Sequence, residues 1–264
     1  MDLKLKDKVV LITGGAGKEG SIGQSIVFAL IEEGAIPIIL DHNKRGFRYE
    51  KQLQKENRKA RFFQTDLSNP EEIKCSFEKI ANEFKGIDVI INNVGVNDGA
   101  GLDAPMEDFL NSIYLNLVSY YATVKYGLQL LKMNKGNILN IGSKVALTGQ
   151  GGTSGYAASK GGVLGLTREW AVDLIKDKIR CNALIIAESM TPAYQDWLER
   201  SGDAENKRKL IEEKIPFENR MTTPKEIADM ALFLISERSS HTTGQFISVD
   251  GGYIHLDRAL LSNS

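Results

Sequence analysis

Short apolar runs rich in Val and Ile alternate along the chain with longer stretches of helical periodicity. Val9 to Ile12, Ile36 to Leu40, Arg61 to Gln64, Val89 to Ile91, Asn137 to Ile141, Ile179 to Ile186 and Gln245 to Val249 read as seven strands. Their near-continuous apolarity suits strands covered on both faces, as in a parallel sheet. Between them, Ile73, Phe77, Ile80 and Phe84 recur at helical spacing and form one apolar stripe. Asn69-Pro70-Glu71-Glu72 carries a start signal for that helix: a capping Asn, Pro at the first helical position and acids in the first turn. Thr223 and Glu226 hold capping-box spacing ahead of Ile227, Met230, Ala231 and Leu234. Strand–helix alternation over residues 1–264 predicts an α/β fold, a doubly wound parallel sheet of the Rossmann type with helices on both faces, in one domain. Residues 188–217 break the rhythm with two helical patterns around Ser201-Gly202-Asp203, as expected of a helical flap over a substrate site.

Composition narrows the field. Hydrophobic residues make up 42% and charged residues 25% of the 264 positions, which excludes wholesale disorder. The 33 basic and 34 acidic side chains leave a net charge of −1, so there is no bulk positive field for nucleic acid or an anionic membrane. The longest apolar runs, Ile26 to Ile31 and Met230 to Ile235, fall well below the ~20 residues of a membrane span. Met1 to Val10 lacks the hydrophobic stretch of a secretory signal, and two cysteines, Cys75 and Cys181, make no disulfide framework. A cytoplasmic protein is expected. His42, His241 and His255 are scattered without metal-ligand spacing, so no metal site is expected.

The candidate chemistry lies at two places. Leu11-Ile12-Thr13 runs into Gly14, Gly15, Gly17, Gly20, Ser21, Ile22 and Gly23 before an apolar helix. Glycines at a strand-to-helix turn let the backbone approach a pyrophosphate, and the helix N-terminus offers free N–H groups and a positive dipole end. Asp41 follows 18 residues after Gly23, the spacing of an acid on the adenosine ribose hydroxyls. That carboxylate favours NAD over NADP, while Lys44, Arg45 and Arg48 keep NADP as the minority reading. Further along, Tyr156 and Lys160 are four residues apart on one helix face, where an ammonium lowers the pKa of a neighbouring phenol. Such a tyrosine exchanges protons near neutral pH. The preceding strand ends at Ser143, placing a hydroxyl at the same sheet edge.

These residues carry a resemblance. The chain resembles the short-chain dehydrogenase/reductase family over essentially its full length, through Thr13-Gly14 with Gly23, Asp66-Leu67, Asn92-Asn93-Val94-Gly95, Asn116, Ser143, Tyr156 with Lys160, Asn182-Ala183, Thr191, and Thr243-Gly244 with Val249 to Gly252. The resemblance implies that Asp66 and Leu67 contact the adenine and that Asn92, Asn93 and Gly95 line the nucleotide crevice. Thr191 joins the cofactor-binding set. Tyr156 is then the general acid/base, Ser143 holds the reacting oxygen, Lys160 also binds the nicotinamide ribose, and Asn116 holds a water of the proton relay. A homotetramer is implied in the same way. Three departures stand out: a glycine loop longer by three residues around Gly17 to Glu19, Val94 for the usual Ala, and Ile186-Ala187 for the usual Pro-Gly.

Val96 to Gly99, Gly101 to Ala104, Thr148 to Gly151, Thr153 to Tyr156, Ala187-Glu188, Met190 to Pro192 and His255 to Leu260 resemble the bacterial L-fucose dehydrogenases. That resemblance implies oxidation of the anomeric carbon of a free aldose to the lactone. A sugar needs several fixed polar groups and one apolar face. Asn97, Asp98, Lys144, Gln150 and Glu188 supply candidate polar contacts and Trp197 a stacking surface, each against the alternative of a turn-fixing or flap-core role. Two other readings stay open: a 3-oxoacyl or hydroxysteroid dehydrogenase/reductase, and a non-catalytic dinucleotide-binding protein.

Overall fold

A computed structural model describes residues 2–256. Seven strands form one sheet: β1 (Val9–Thr13), β2 (Ile36–Asp41), β3 (Arg61–Gln64), β4 (Val89–Asn92), β5 (Asn137–Ile141), β6 (Arg180–Ile186) and β7 (Phe246–Val249). Their order is β3-β2-β1-β4-β5-β6-β7, and every neighbouring pair is parallel. All seven predicted strands are present, with ends within a residue or so of the apolar runs. From β1 the chain winds outward to β3, then returns to place β4 beside β1. That reversal opens a crevice at the carboxyl ends of β1 and β4, the place where such sheets bind ligands.

Both faces are covered, which explains the apolar strands. Val10 and Ile12 face one core layer with Ile26 and Leu30 of α1 (Ile22–Glu32) and Ile227 and Ala231 of α9 (Pro224–Ile235). Leu11 between them faces the opposite layer, with Ile73, Phe77 and Ile80 of α3 (Pro70–Glu83) and Val163 of α6 (Ser154–Asp173). The expected stripe on α3 is therefore core. Each such aliphatic side chain contributes roughly 1.5–3 kcal/mol by leaving water. Two start signals read from the sequence hold: Asn69 accepts from the Glu71 amide at 3.1 Å, and Thr223 and Glu226 close a reciprocal capping box.

The remaining helices are α2 (Arg45–Lys55), α4 (Met106–Ile113), α5 (Ser119–Asn134), α7 (Pro192–Glu199) and α8 (Ala204–Glu212). Helix α4 continues into α5 through one wide π-helical turn, Tyr114–Val118, which carries Asn116. Helices α7 and α8 fall on the two helical patterns expected within residues 188–217. Asp257 to Leu260 of the fucose-type tail lie outside the described residues. No helix among the described residues is long and apolar enough to cross a membrane.

Candidate active site

The glycine loop turns sharply after β1. Gly14 sits at φ +70°, a conformation that side chains resist, and a Cβ on Gly23 would lie 2.2 Å from the Gly14 carbonyl. Only glycine lets α1 start this close to the strand. Ser21 caps α1 by accepting from the Gln24 amide at 3.4 Å, just before Ile22. Its hydroxyl lies over Gly17, where a Cβ would come within 2.2 Å of it. Asn93 stitches β4 to the loop, donating to the carbonyls of Thr13 (3.0 Å) and Gly14 (3.2 Å). The lengthened loop is held from outside at Ala16, Gly17 and Lys18. Tyr49 donates to the Gly17 carbonyl at 2.8 Å, Arg45 to that of Ala16 at 3.2 Å, and Lys18 pairs with Asp196 of α7 at 3.1 Å.

Asp41 ends β2 and is 5% exposed. One carboxylate oxygen accepts from the Ala16 amide (2.9 Å) and the other from Asn43 (2.8 Å), leaving each oxygen further acceptor capacity. Asp66 is exposed and turns back on Ser68, accepting from its amide and hydroxyl, while Leu67 is buried in the core. Thr191 caps α7 by accepting from the Tyr194 amide at 3.2 Å. On the neighbouring residue but one, the Ser189 hydroxyl is buried with no hydrogen-bond partner. A buried orphan is rare enough to need a reason. A dinucleotide's polar end would satisfy it, and together with the glycine cradle it shows residues that fit such a cofactor.

At the catalytic end, Ser143 opens a short turn by accepting from the Val145 amide at 3.4 Å, and its side chain interacts with the Tyr156 phenol. Lys160 is 2% exposed and donates to the Ile141 carbonyl at 2.8 Å and the Tyr120 hydroxyl at 2.9 Å. Its ammonium lies 5.6 Å from the Tyr156 ring centroid. Asn116 is fully buried, and its side-chain amide is spent on the backbone of Val96 and Ser112. That grip fixes the loop after β4, where Gly95 leaves space: a Cβ there would lie 2.9 Å from the Asn116 oxygen.

The electrostatics add burial to the expected picture. Burial pushes the Tyr156 phenol above its ordinary pKa, and the Ser143 hydrogen bond opposes this. The acidification expected of Lys160 is limited by the burial of the lysine itself. Burial lowers its own pKa to about 7, so its charge is weakened in the place where it would act.

Beside Ser143, a second polar group forms that the sequence announced only in part. Lys144 pairs with Glu188, each side chain about 10% exposed (10% and 11%). Tyr194 of α7 donates to the other Glu188 oxygen at 2.7 Å, and the Tyr253 ring lies 4.4 Å from the Lys144 ammonium. Tyr194 packs edge-on against Trp197, whose ring carries Lys207 at 3.8 Å. Asn97, Asp98 and Gln150 are instead exposed on two loops, the second leading into α6, whose Gly155 amide donates to the Ala100 carbonyl (2.9 Å). Asp98 accepts from the Ala100 amide at 3.3 Å, a turn-fixing contact. Sequence reasoning missed Tyr120, Ser189, Tyr194 and Tyr253. Isolated tyrosines and a serine in apolar surroundings give no spacing signal.

Residues 15–254 match a family model described as enoyl-(acyl carrier protein) reductase. The chain belongs to the short-chain dehydrogenase/reductase family. Among curated relatives of this dehydrogenase/reductase, a 3-oxoacyl-(acyl-carrier-protein) reductase of Thermotoga maritima is 32% identical, covering 96% of this chain and 100% of its own. An L-fucose dehydrogenase of Oryctolagus cuniculus is also 32% identical, over 93% of this chain and 84% of that one. Among solved structures, the Cj0485 dehydrogenase superposes with a TM-score of 0.91 at 42% identity, covering 98% of each chain. The aldohexose dehydrogenase of Thermoplasma acidophilum superposes with a TM-score of 0.87 at 28% identity, over 97% of this chain and 98% of that one.

Proposed function

We propose that this oxidoreductase is an NAD-dependent dehydrogenase that oxidises the anomeric hydroxyl of a free aldose, L-fucose or a close analogue, to the lactone. The observation that carries the substrate reading is the polar cluster beside Ser143: Lys144, Glu188, Tyr194 and Tyr253 bring charge and hydroxyls together where an acyl chain or steroid would want apolar surface. The likeness to a fucose dehydrogenase and an aldohexose dehydrogenase supports the same class.

In this reading Gly14, Gly17, Ser21, Ile22 and Gly23 hold the pyrophosphate at the start of α1, Asp41 the ribose, and Asp66 and Leu67 the adenine. Asn93, Gly95, Ser189, Thr191 and Lys160 flank the nicotinamide end. When bound, the nicotinamide supplies the hydride acceptor. Ser143 holds the C1 oxygen and Tyr156 takes its proton. The C1–H bonding pair leaves as hydride while the electrons of the O–H bond form the carbonyl, which balances the step. The Asp41 carboxylate repels a 2′-phosphate, which is why NAD is chosen over NADP.

A homotetramer in the cytoplasm completes the proposal. Met106, Leu110, Tyr114 and Tyr121 leave an exposed apolar strip along α4 and α5, as expected of an interface between copies. Light scattering is expected to give four times the chain mass.

A second reading, reduction of a 3-oxoacyl thioester, is favoured by the family model's description and the Thermotoga maritima relative. An aldose panel with NAD, run beside an acetoacetyl thioester with NADH and NADPH, separates the two. The proposal expects reduced nicotinamide to accumulate with L-fucose, D-arabinose or L-galactose; turnover confined to the thioester would replace it by the second reading.

A further inference from the structure

We infer that Tyr120 is a positioning residue of this active site, holding the Lys160 ammonium in the place from which it serves Tyr156. The inference rests on the roles proposed above for Tyr156 and Lys160.

Tyr120 stands in the first turn of α5, four residues after Asn116, and is 0% exposed. Its ring packs in the apolar layer with Ile90, Ile138 and Val163. Phenylalanine would fill that space equally well, so the hydroxyl is the informative atom. A buried phenol needs a partner, and this one has two, both at the catalytic edge. It donates to the Ile141 carbonyl at 3.1 Å and accepts from Lys160 at 2.9 Å. Lys160 donates to the same carbonyl at 2.8 Å, closing a triangle, and lies 4.8 Å from the Tyr120 ring centroid. Two of the three ammonium protons are thereby fixed, and a flexible four-carbon stem is held in one conformation.

The contact also bears on charge. Burial brings Lys160 to about 7, so at neutral pH its charged and neutral forms are close in energy. An oxygen accepting from the ammonium favours the charged form. Tyr120 itself is pushed well above its ordinary range by burial and by the charge on Tyr156, so it remains a neutral dipole. The groups facing Lys160 are Tyr156 from its own helix, Tyr120 from α5, the Ile141 carbonyl from β5, and Gly95 in the loop after β4. Only the two tyrosines titrate. The Tyr120 proton ends on a backbone carbonyl, which passes nothing on. Tyr120 is therefore a clamp rather than a conduit.

The test is Tyr120→Phe, with the Tyr156 titration read from the ultraviolet tyrosinate difference between each protein and its Tyr156→Phe counterpart. The clamp predicts that loss of the hydroxyl moves the Tyr156 transition to higher pH by about one pH unit. With L-fucose as substrate, kcat at neutral pH falls about tenfold and the KM for NAD is unchanged. Replacing Tyr120 by 3-fluorotyrosine keeps the shape and weakens the acceptor, and is expected to move the transition in the same direction by less. A transition unmoved in the folded variants would overturn the inference, whatever happens to stability. A moved transition in an enzyme that does not oxidise L-fucose would retire the aldose reading and leave the clamp standing.

Discussion

The Lys144 ammonium and the Glu188 carboxylate form an ion pair, with the second Glu188 oxygen held by the Tyr194 hydroxyl of α7 at 2.7 Å. Removing one member leaves the other charged and nearly dry. Glu188→Gln keeps an acceptor for Tyr194 but strands the ammonium, and is expected to destabilise the fold by about 3 kcal/mol. Adding Lys144→Met is expected to recover most of that loss. Urea denaturation of the two single variants and the double variant gives the coupling; simple additivity would show that the pair is not an energetic unit.

Tyr156→Phe removes the proposed base and keeps the ring. Turnover is expected to fall by about 10²–10⁴-fold, with the affinity for NAD measured by calorimetry essentially unchanged. Retention of full activity would remove Tyr156 from the chemistry.

Asp41 joins cofactor choice to loop structure. Asp41→Ala removes the carboxylate that would exclude a 2′-phosphate and the acceptor of the Ala16 amide. The expected result is a drop of about tenfold or more in kcat/KM with NAD, a relative gain with NADP, and a loss of about 1 kcal/mol in stability. Unchanged nucleotide preference would show that Asp41 serves the loop alone.

Much of this was legible in the chain because it depends on local rules. Strand runs such as Ile36 to Leu40 are apolar because both faces are covered, and the caps at Asn69 and Thr223 need only neighbouring backbone. Ser143, Tyr156 and Lys160 fall at one sheet edge because parallel connectivity puts them there. Charge was not legible. Spacing placed Lys160 near Tyr156, but its pKa depends on burial by residues distant in sequence, and its bonds go to Tyr120 and Ile141. Likewise Lys144 and Glu188, 44 residues apart, stand in the sequence as separate sugar contacts, and the fold joins them to each other.

The low pKa of Lys160 has a consequence for stability. Its folded value is about 7 against an ordinary 10.5, so between those pH values the unfolded chain binds more protons. Stability from this group therefore rises with pH across that window, by about 1.4 kcal/mol per pH unit, and the burial penalty is fully present below it. Lys160→Met is expected to abolish turnover yet exceed the parent in urea resistance near neutral pH, with the advantage shrinking as pH rises. The raised tyrosines, Tyr120 and Tyr156, act only at and above the ordinary range of ~10. An advantage independent of pH would contradict the low Lys160 pKa.

The most direct measurement follows one hydrogen. L-Fucose carrying deuterium at C1 is incubated with the enzyme and NAD, and both products are examined by mass spectrometry. The account predicts deuterium in the reduced nicotinamide and an unlabelled lactone, with turnover slower than for unlabelled sugar. Deuterium retained in the sugar, beside reduction of an acetoacetyl thioester by NADH or NADPH, would contradict it.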